Sequence, residues 1–355
     1  MRYKPDWDKA RERLTAFLNH EVVDRCCCAV FAREGGNEAV SHNPPADPAE
    51  RFAYWTDPER VIARYRRQME RTTYGGEAFP QIFVDLGAAG HAGFFKGAKY
   101  RFEDSVWFFP SHEAPDDIEF DPYSDLFERT MSLARAYAQD SKGDYIVSMP
   151  DCTGNADALS HLLGPEALLP LMIEEPEAVR RALQRIEKAY EAAMRGVYEI
   201  VKGVNGGGSS IGWMSTWAPG LHAQMQSDMS VMISNDMFEK FVMPELRAQC
   251  DFLDYPLYHF DGVEQIRHLD SLLSLEKLRA IQWTQVAGQR PCTDYIPELR
   301  RIQAAGKGVL ILVAPAQIRP LMENLSSRGL YLVTAVRTAD EADAILKDVA
   351  RLTHD

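Results

Sequence analysis

Apolar residues fall in two rhythms along the chain. Short β-rich runs bounded by turn residues read as strands: CCCAVF (26–31), QIFVDLG (81–87), YIVSMPD (145–151), SSIGWM (209–214), PLYHFDG (256–262), AIQWTQ (280–285), GVLILVA (308–314) and GLYLVTA (329–335). Between them, apolar residues recur at three- and four-residue steps with charges on the other face. That spacing predicts helices over 58–72, 126–139, 176–201, 235–253, 263–274, 295–306 and 339–352. Start signals accompany two of them: Asn235 before Asp236, and Thr338 three places before Glu341. Alternating strand and helix implies a parallel sheet with right-handed crossovers. Eight such units predict an α/β fold of the closed (β/α)8 type, a TIM barrel over 1–355 as one domain with an N-terminal helical extension. The glycine-rich GVNGGGSS (203–210) precedes a strand, so it reads as a loop and not as a dinucleotide cradle.

Active sites of such barrels lie at the C-terminal ends of the strands. The candidates there are Arg33, Asp85, Asp151, Trp213, Trp217, His259, Asp261, Trp283, Gln285 and Thr334. Alternate residues of a strand share a face, so His259 and Asp261 can enter the mouth together and bind one ion. Imidazole with carboxylate suits zinc or a harder divalent metal, with water completing the shell. Structural roles stand beside each of these readings. The pair can serve as a hydrogen-bonded brace, Asp85 and Asp151 as turn caps, and the three tryptophans as core or rim packing. His222 and His268 sit at positions that read as structural.

Composition narrows the partner classes. With 355 residues, 46 % hydrophobic and 26 % charged, the chain is that of a globular protein able to bury a large core. No apolar run approaches the roughly 18 residues that span a bilayer. The opening MRYKPDWDKARERL lacks the apolar stretch of a secretory signal, so a cytoplasmic protein without membrane contact is expected. Six cysteines, three of them adjacent (Cys26, Cys27, Cys28), form no disulfide framework and read as buried packing. A net charge of −13 with no basic stripe disfavours nucleic acid.

Four stretches carry a family resemblance: FVDLG (83–87), ALSHLLGPEALLPLMIEEPEAVRRAL (158–183), SDMSVMISNDMFEKFVMPEL (227–246) and YHFDG (258–262). Together they resemble the uroporphyrinogen decarboxylase superfamily, which includes the cobalamin-dependent methyltransferases, over nearly the whole chain. The resemblance implies a (β/α)8 barrel with an enlarged cleft. Decarboxylases of the family hold a porphyrinogen with basic residues and an aspartate, without a cofactor. Its methyltransferases hold zinc through His, Cys and Cys and pass a methyl group from a cobalt corrinoid to a thiol. This sequence departs from both. The paired-arginine segment of the decarboxylases reduces to AREGGN (32–37), where Arg33 stands beside Glu34. His259-x-Asp261 replaces His-x-Cys, and YLVTAVRT (331–338) has no late cysteine.

The resemblance therefore implies a corrinoid-dependent methyltransferase acting on a small molecule. Zinc or another divalent metal would sit at His259 and Asp261, and Asp85 and Asp228 would orient the acceptor or take its proton, with His259 the third catalytic residue. Arg33, Asp151, Trp213, Trp217, Trp283 and Gln285 would bind substrate. A corrinoid protein and a second copy of the chain are the implied partners. Two alternatives stay open: a cofactor-independent decarboxylase or lyase using Arg33 and Asp85 on a small carboxylated substrate, and a non-catalytic corrinoid- or tetrapyrrole-binding protein.

Overall fold

The computed structural model describes residues 1–33, 43–152 and 154–355. Glu34 and the rest of the AREGGN stretch beyond Arg33, together with Thr153, lie outside the described residues. The strands in chain order are β1 (Cys27–Ala32), β2 (Thr73–Gly76), β3 (Gln81–Phe83), β4 (Lys99–Phe102), β5 (Val106–Phe109), β6 (Ile146–Ser148) and β7 (Ser209–Ile211). They continue as β8 (Thr216–Ala218), β9 (His222–Met225), β10 (Tyr255–Phe260), β11 (Ala280–Trp283), β12 (Gly308–Leu312) and β13 (Leu330–Val336). Each run read from the sequence overlaps one of these strands. The short antiparallel partners β2, β4, β5 and β8, and the parallel β9, were not legible.

The main ladder runs β2–β1–β13–β12–β11–β10–β9, parallel except that β2 lies antiparallel on β1. β3 pairs in parallel with β6, and a single bridge, Met149 to Ile211, leads from β6 to β7. The closed barrel expected from the sequence needs correcting in hydrogen-bond terms, since among the described residues no ladder joins β1 to β3 or β7 to β9. The fold is mixed α/β with an open parallel sheet. β2 takes the edge of β1 that a closing strand would use.

Side chains bridge where the ladder stops. Asn205, from the glycine-rich loop, accepts from Val147 N at 3.0 Å and donates to Val147 O at 2.8 Å. Gln81 Oε1 accepts from Ser148 at 2.8 Å and from Ser210 at 3.1 Å. His222 N donates to Ser209 Oγ at 2.6 Å. Each bond satisfies a polar group that would otherwise be buried at some cost.

Strand alternation sorts the apolar residues into two cores. Cys27, Ala29, Ile146, Ile211, Leu257, Ala280, Leu310, Tyr331 and Val333 turn inward around the helix Trp7–Leu18. Their strand neighbours, among them Cys28, Val147, Phe260, Ile281 and Ile311, pack outward against the covering helices. The sheet thus curls around the N-terminal helix, whose Trp7 ring lies 5.0 Å from Phe79 and 5.7 Å from Trp217. Phe17 meets Tyr331 at 5.4 Å. All six cysteines are buried and unpaired.

Helices Pro176–Val201 and Ala339–Leu352 match the predicted spans, and the second begins in the expected capping box. The 235–253 segment is helical through Phe252 but takes a π turn at Phe238–Val242. Its cap is Ser234, which accepts from Met237 N at 3.3 Å, in place of Asn235. The helix Trp7–Leu18 forms the expected N-terminal extension, and helices at Pro48–Thr56, Asn155–Leu163, Pro165–Glu174 and Pro315–Asn324 add to the predicted set. No described helix is long and apolar enough to cross a membrane.

Candidate active site at the strand ends

The YHF run of β10 has the alternation of a strand buried on both faces. Tyr258 and Phe260 point to the helices, whereas His259 points inward and Asp261 follows on the same side. Parallel register sets His259 opposite Gln282 of β11, and Phe260 opposite Trp283. Phe260 and Trp283 stack outward, 4.8 Å between rings at 18°. Inward, His259 Nδ1 bonds Gln282 Oε1, with Thr284 Oγ1 3.3 Å away. A carboxamide oxygen only accepts, so Nδ1 carries the proton and Nε2 keeps its lone pair. Burial lowers the histidine's pKa, against a smaller opposing effect from Gln282 and Asp261, and the ring stays neutral.

Asp228 reaches the same place from the turn after β9. Asp157, in the first turn of Asn155–Leu163, accepts from the backbone N–H groups of Asp228 at 2.9 Å and Met229 at 2.7 Å, fixing that turn. Gln226 Nε2 holds Asp228 Oδ2 at 2.9 Å, while Asp228 Oδ1 is buried without a hydrogen-bond partner. Ligand atoms of Asp228, His259 and Asp261 all lie within 4.8 Å of one another. Burial pushes the Asp228 carboxyl up, and the neighbouring charges of Asp157, Asp261 and Asp151 push it further. A carboxylate held among acids, with one buried oxygen unpartnered, is an environment that a divalent cation would relieve. One imidazole and two carboxylates form a hard, water-completed donor set that fits zinc, manganese or magnesium better than a thiol-binding zinc.

Trp213 separates this cluster from a cavity of about 620 Å³. Its ring meets His259 edge-on at 4.7 Å, and the cavity is walled by aromatic and aliphatic side chains including Phe31, Tyr74, Phe79, Phe83 and Val333. Of the sequence candidates, Arg33, Gln285 and Thr334 also line it. Gln285 is tied down by Leu312 O, Cys292 N and Gln317.

The remaining candidates sit elsewhere. Trp217 is 3 % exposed, bonds Asn205 O through Nε1 at 3.2 Å and packs on Trp7, so it belongs to the inner core. Trp283 belongs to the outer core, because it occupies the opposite face of β11 from Gln282. Asp85 caps its own turn by accepting from Gly87 N at 3.1 Å and faces Tyr65 and Tyr137 beside a separate 10 Å³ void. Asp151 lies near enough for its charge to act on Asp228, and its carbonyl accepts from Gly90 N at 2.8 Å. His222 and His268 are structural, the first bonded to Thr216 and Tyr255, the second stacked on Phe238 and bonded to Ser230 O.

Sequence reasoning passed over Gln282, Gln226 and Asp157, the groups that orient the cluster. It also passed over Arg64, Arg67, Arg71 and Arg337, which gather beside the cavity. Three of those arginines, Arg64, Arg67 and Arg71, follow one another at steps of three and four, a one-face helical spacing that is visible in the sequence.

A methyltransferase from Methanosarcina mazei has a solved structure to which this fold is similar, with a TM-score of 0.60 at 12 % identity, over 96 % of this chain and 98 % of that one. At that identity the likeness speaks for the fold. No protein-family model and no curated protein matches the sequence.

Proposed function

We propose that the chain is a methyltransferase that moves a methyl group to a small acceptor beside a divalent cation held by Asp228, His259 and Asp261. The convergence of these three side chains behind Trp213, with Asp228 Oδ1 unpartnered, carries the reading. The likeness in fold to a methyltransferase supports it. A bound divalent cation would supply Lewis acidity, lowering the pKa of an acceptor O–H or N–H.

The chain's own residues do the rest. Gln282 fixes the His259 tautomer so that Nε2 faces the site. Asp157 and Gln226 hold Asp228 in place before any ligand arrives. Trp213 and the aromatic walls exclude water and offer a flat face to the acceptor. A 620 Å³ cavity is smaller than a corrinoid, so a corrinoid donor would dock at the mouth on a partner protein.

Metal analysis of natively purified protein, with His259→Ala alongside, tests this proposal. A stoichiometric divalent metal lost in the variant, together with methyl transfer, is expected; a metal-free protein whose variant keeps full activity overturns it. Arg33 in the cavity wall favours a second reading, decarboxylation of a small acid, and CO₂ release from small aromatic acids would separate the two.

A further inference from the structure

The cavity in front of Trp213 adjoins a second hollow of about 770 Å³, the two sharing Arg33, Gln68 and Thr72 in their linings. This vestibule is lined by Arg33, Arg64, Arg67, Arg71 and Arg337, and among the described residues no acidic side chain lines it. In a chain of net charge −13, five guanidinium groups on one wall are a strong local reversal of sign. Two elements supply most of them. The helix Pro58–Met69 and the turn after it present Arg64, Arg67 and Arg71, while Arg337 follows β13.

Neither Arg67 nor Arg71 forms an ion pair among the described residues, although their helix neighbour Arg66 is engaged by Asp140 at 2.7 Å. Arg64 is held in place by stacking on Tyr54 at 3.8 Å and by a bond to Tyr54 O at 3.2 Å, yet its Nε is buried without a partner. Beside Arg337, Glu341 spends its carboxylate on the backbone N–H groups of Arg337 and Thr338. Arg67 and Arg71, without an ion pair among the described residues, cost self-repulsion, and their forked donors match carboxylate and phosphate oxygens.

We propose that the site takes a ligand with an apolar or aromatic body seated against Trp213 and an anionic tail, phosphate or polycarboxylate, gripped by this arginine vestibule. The inference rests on the cavity being the substrate cavity of the proposed methyl transfer, and it names the class of molecule admitted there. The arginines act as a selectivity filter, since a neutral analogue of the same body loses the tail contacts and gains nothing in exchange.

The test uses chelator-treated full-length protein, so it does not depend on the metal. Binding of 8-anilinonaphthalene-1-sulfonate, an aromatic body with an anionic group, is compared with that of neutral N-phenyl-1-naphthylamine by fluorescence. The triple variant Arg67→Gln/Arg71→Gln/Arg337→Gln, checked for an unchanged melting transition, should bind the sulfonate about tenfold or more weakly while binding the neutral amine as before. Wild-type affinity for the sulfonate should also fall with added salt, and the variant's should not. Displacement by pyrophosphate assigns a phosphoryl tail and displacement by citrate a carboxylate tail. Equal sulfonate affinity in wild type and variant, or displacement by neither anion, overturns the proposal. A vestibule that binds while native protein proves metal-free would sink the methyl-transfer reading alone.

Discussion

Gln282 settles which nitrogen of His259 faces the site. Its Oε1 takes the Nδ1 proton, and Thr284 stands close by to hold the amide. Gln282→Leu keeps the volume but leaves Nδ1 without its acceptor, so metal affinity should fall about 10- to 100-fold while the melting transition barely moves. Competition against a chromophoric chelator reads that change. A second residue reports on pH. Glu187 is largely buried and bonded by Asn155 and Gln249, and burial raises its carboxyl to about 7 while its Oε1 finds no partner. The folded state therefore holds this proton between roughly pH 4.5, where the unfolded chain loses it, and about 7. Stability from this group is fully present below that window and is lost as pH rises through it. Glu187→Gln should leave stability near pH 4.5 almost unchanged and exceed wild type by about 2 to 3 kcal/mol at pH 8. Denaturant titrations at the two pH values check the sign.

At the scale of elements, one carboxylate joins three of them. Glu77, fully buried just after β2, accepts from both Arg25 Nη groups at 2.7 and 2.8 Å, from Arg13 of the N-terminal helix at 3.1 Å and from Cys28 N in β1 at 2.7 Å. Glu77→Gln keeps the shape but leaves the buried Arg25 guanidinium without its carboxylate, while Arg13 keeps Asp24 at 2.6 Å, and should cost about 3 to 5 kcal/mol in a chemical melt. The elements themselves were legible wherever local physics decides them. The long Pro176–Val201 helix has eleven positions buried on one stripe, and its period fixed both ends. β10, β11, β12 and β13 were equally plain, because strands buried on both faces read as unbroken apolar runs. β2 and β8 were not plain, since Thr73–Gly76 and Thr216–Ala218 are short and made by tertiary pairing. The N-terminal helix was expected only as an extension without bounds, because the charges of Trp7–Leu18 outweigh the few residues, such as Trp7, Leu14 and Phe17, that plug the sheet. In the site, His259 and Asp261 stood out by their two-residue step. Asp228 needed the family resemblance, and the supporting amides Gln226 and Gln282 carried no local signal.

Across the whole molecule the two ends of the curled sheet have opposite characters. One end is closed by the N-terminal helix, with Trp7, Phe79 and Trp217 packed ring against ring and the Glu77 network beside them. The other end carries Trp213, the cavity and the arginines. The eight-unit alternation foretold this polarity, though it foretold a continuous ladder too, and the hydrogen bonds of Asn205, Gln81 and Ser209 show where side chains took over from backbone. Nothing in a periodic pattern distinguishes a strand that pairs from one bridged by an amide two elements away. The plugged end also governs traffic. With Trp7, Phe79 and Trp217 filling that end, a ligand seated against Trp213 comes and goes on the arginine side. In the proposed methyl transfer the acceptor would then enter before the donor covers it, and the product would leave only after the spent donor has cleared that side, an order that product-inhibition kinetics would read.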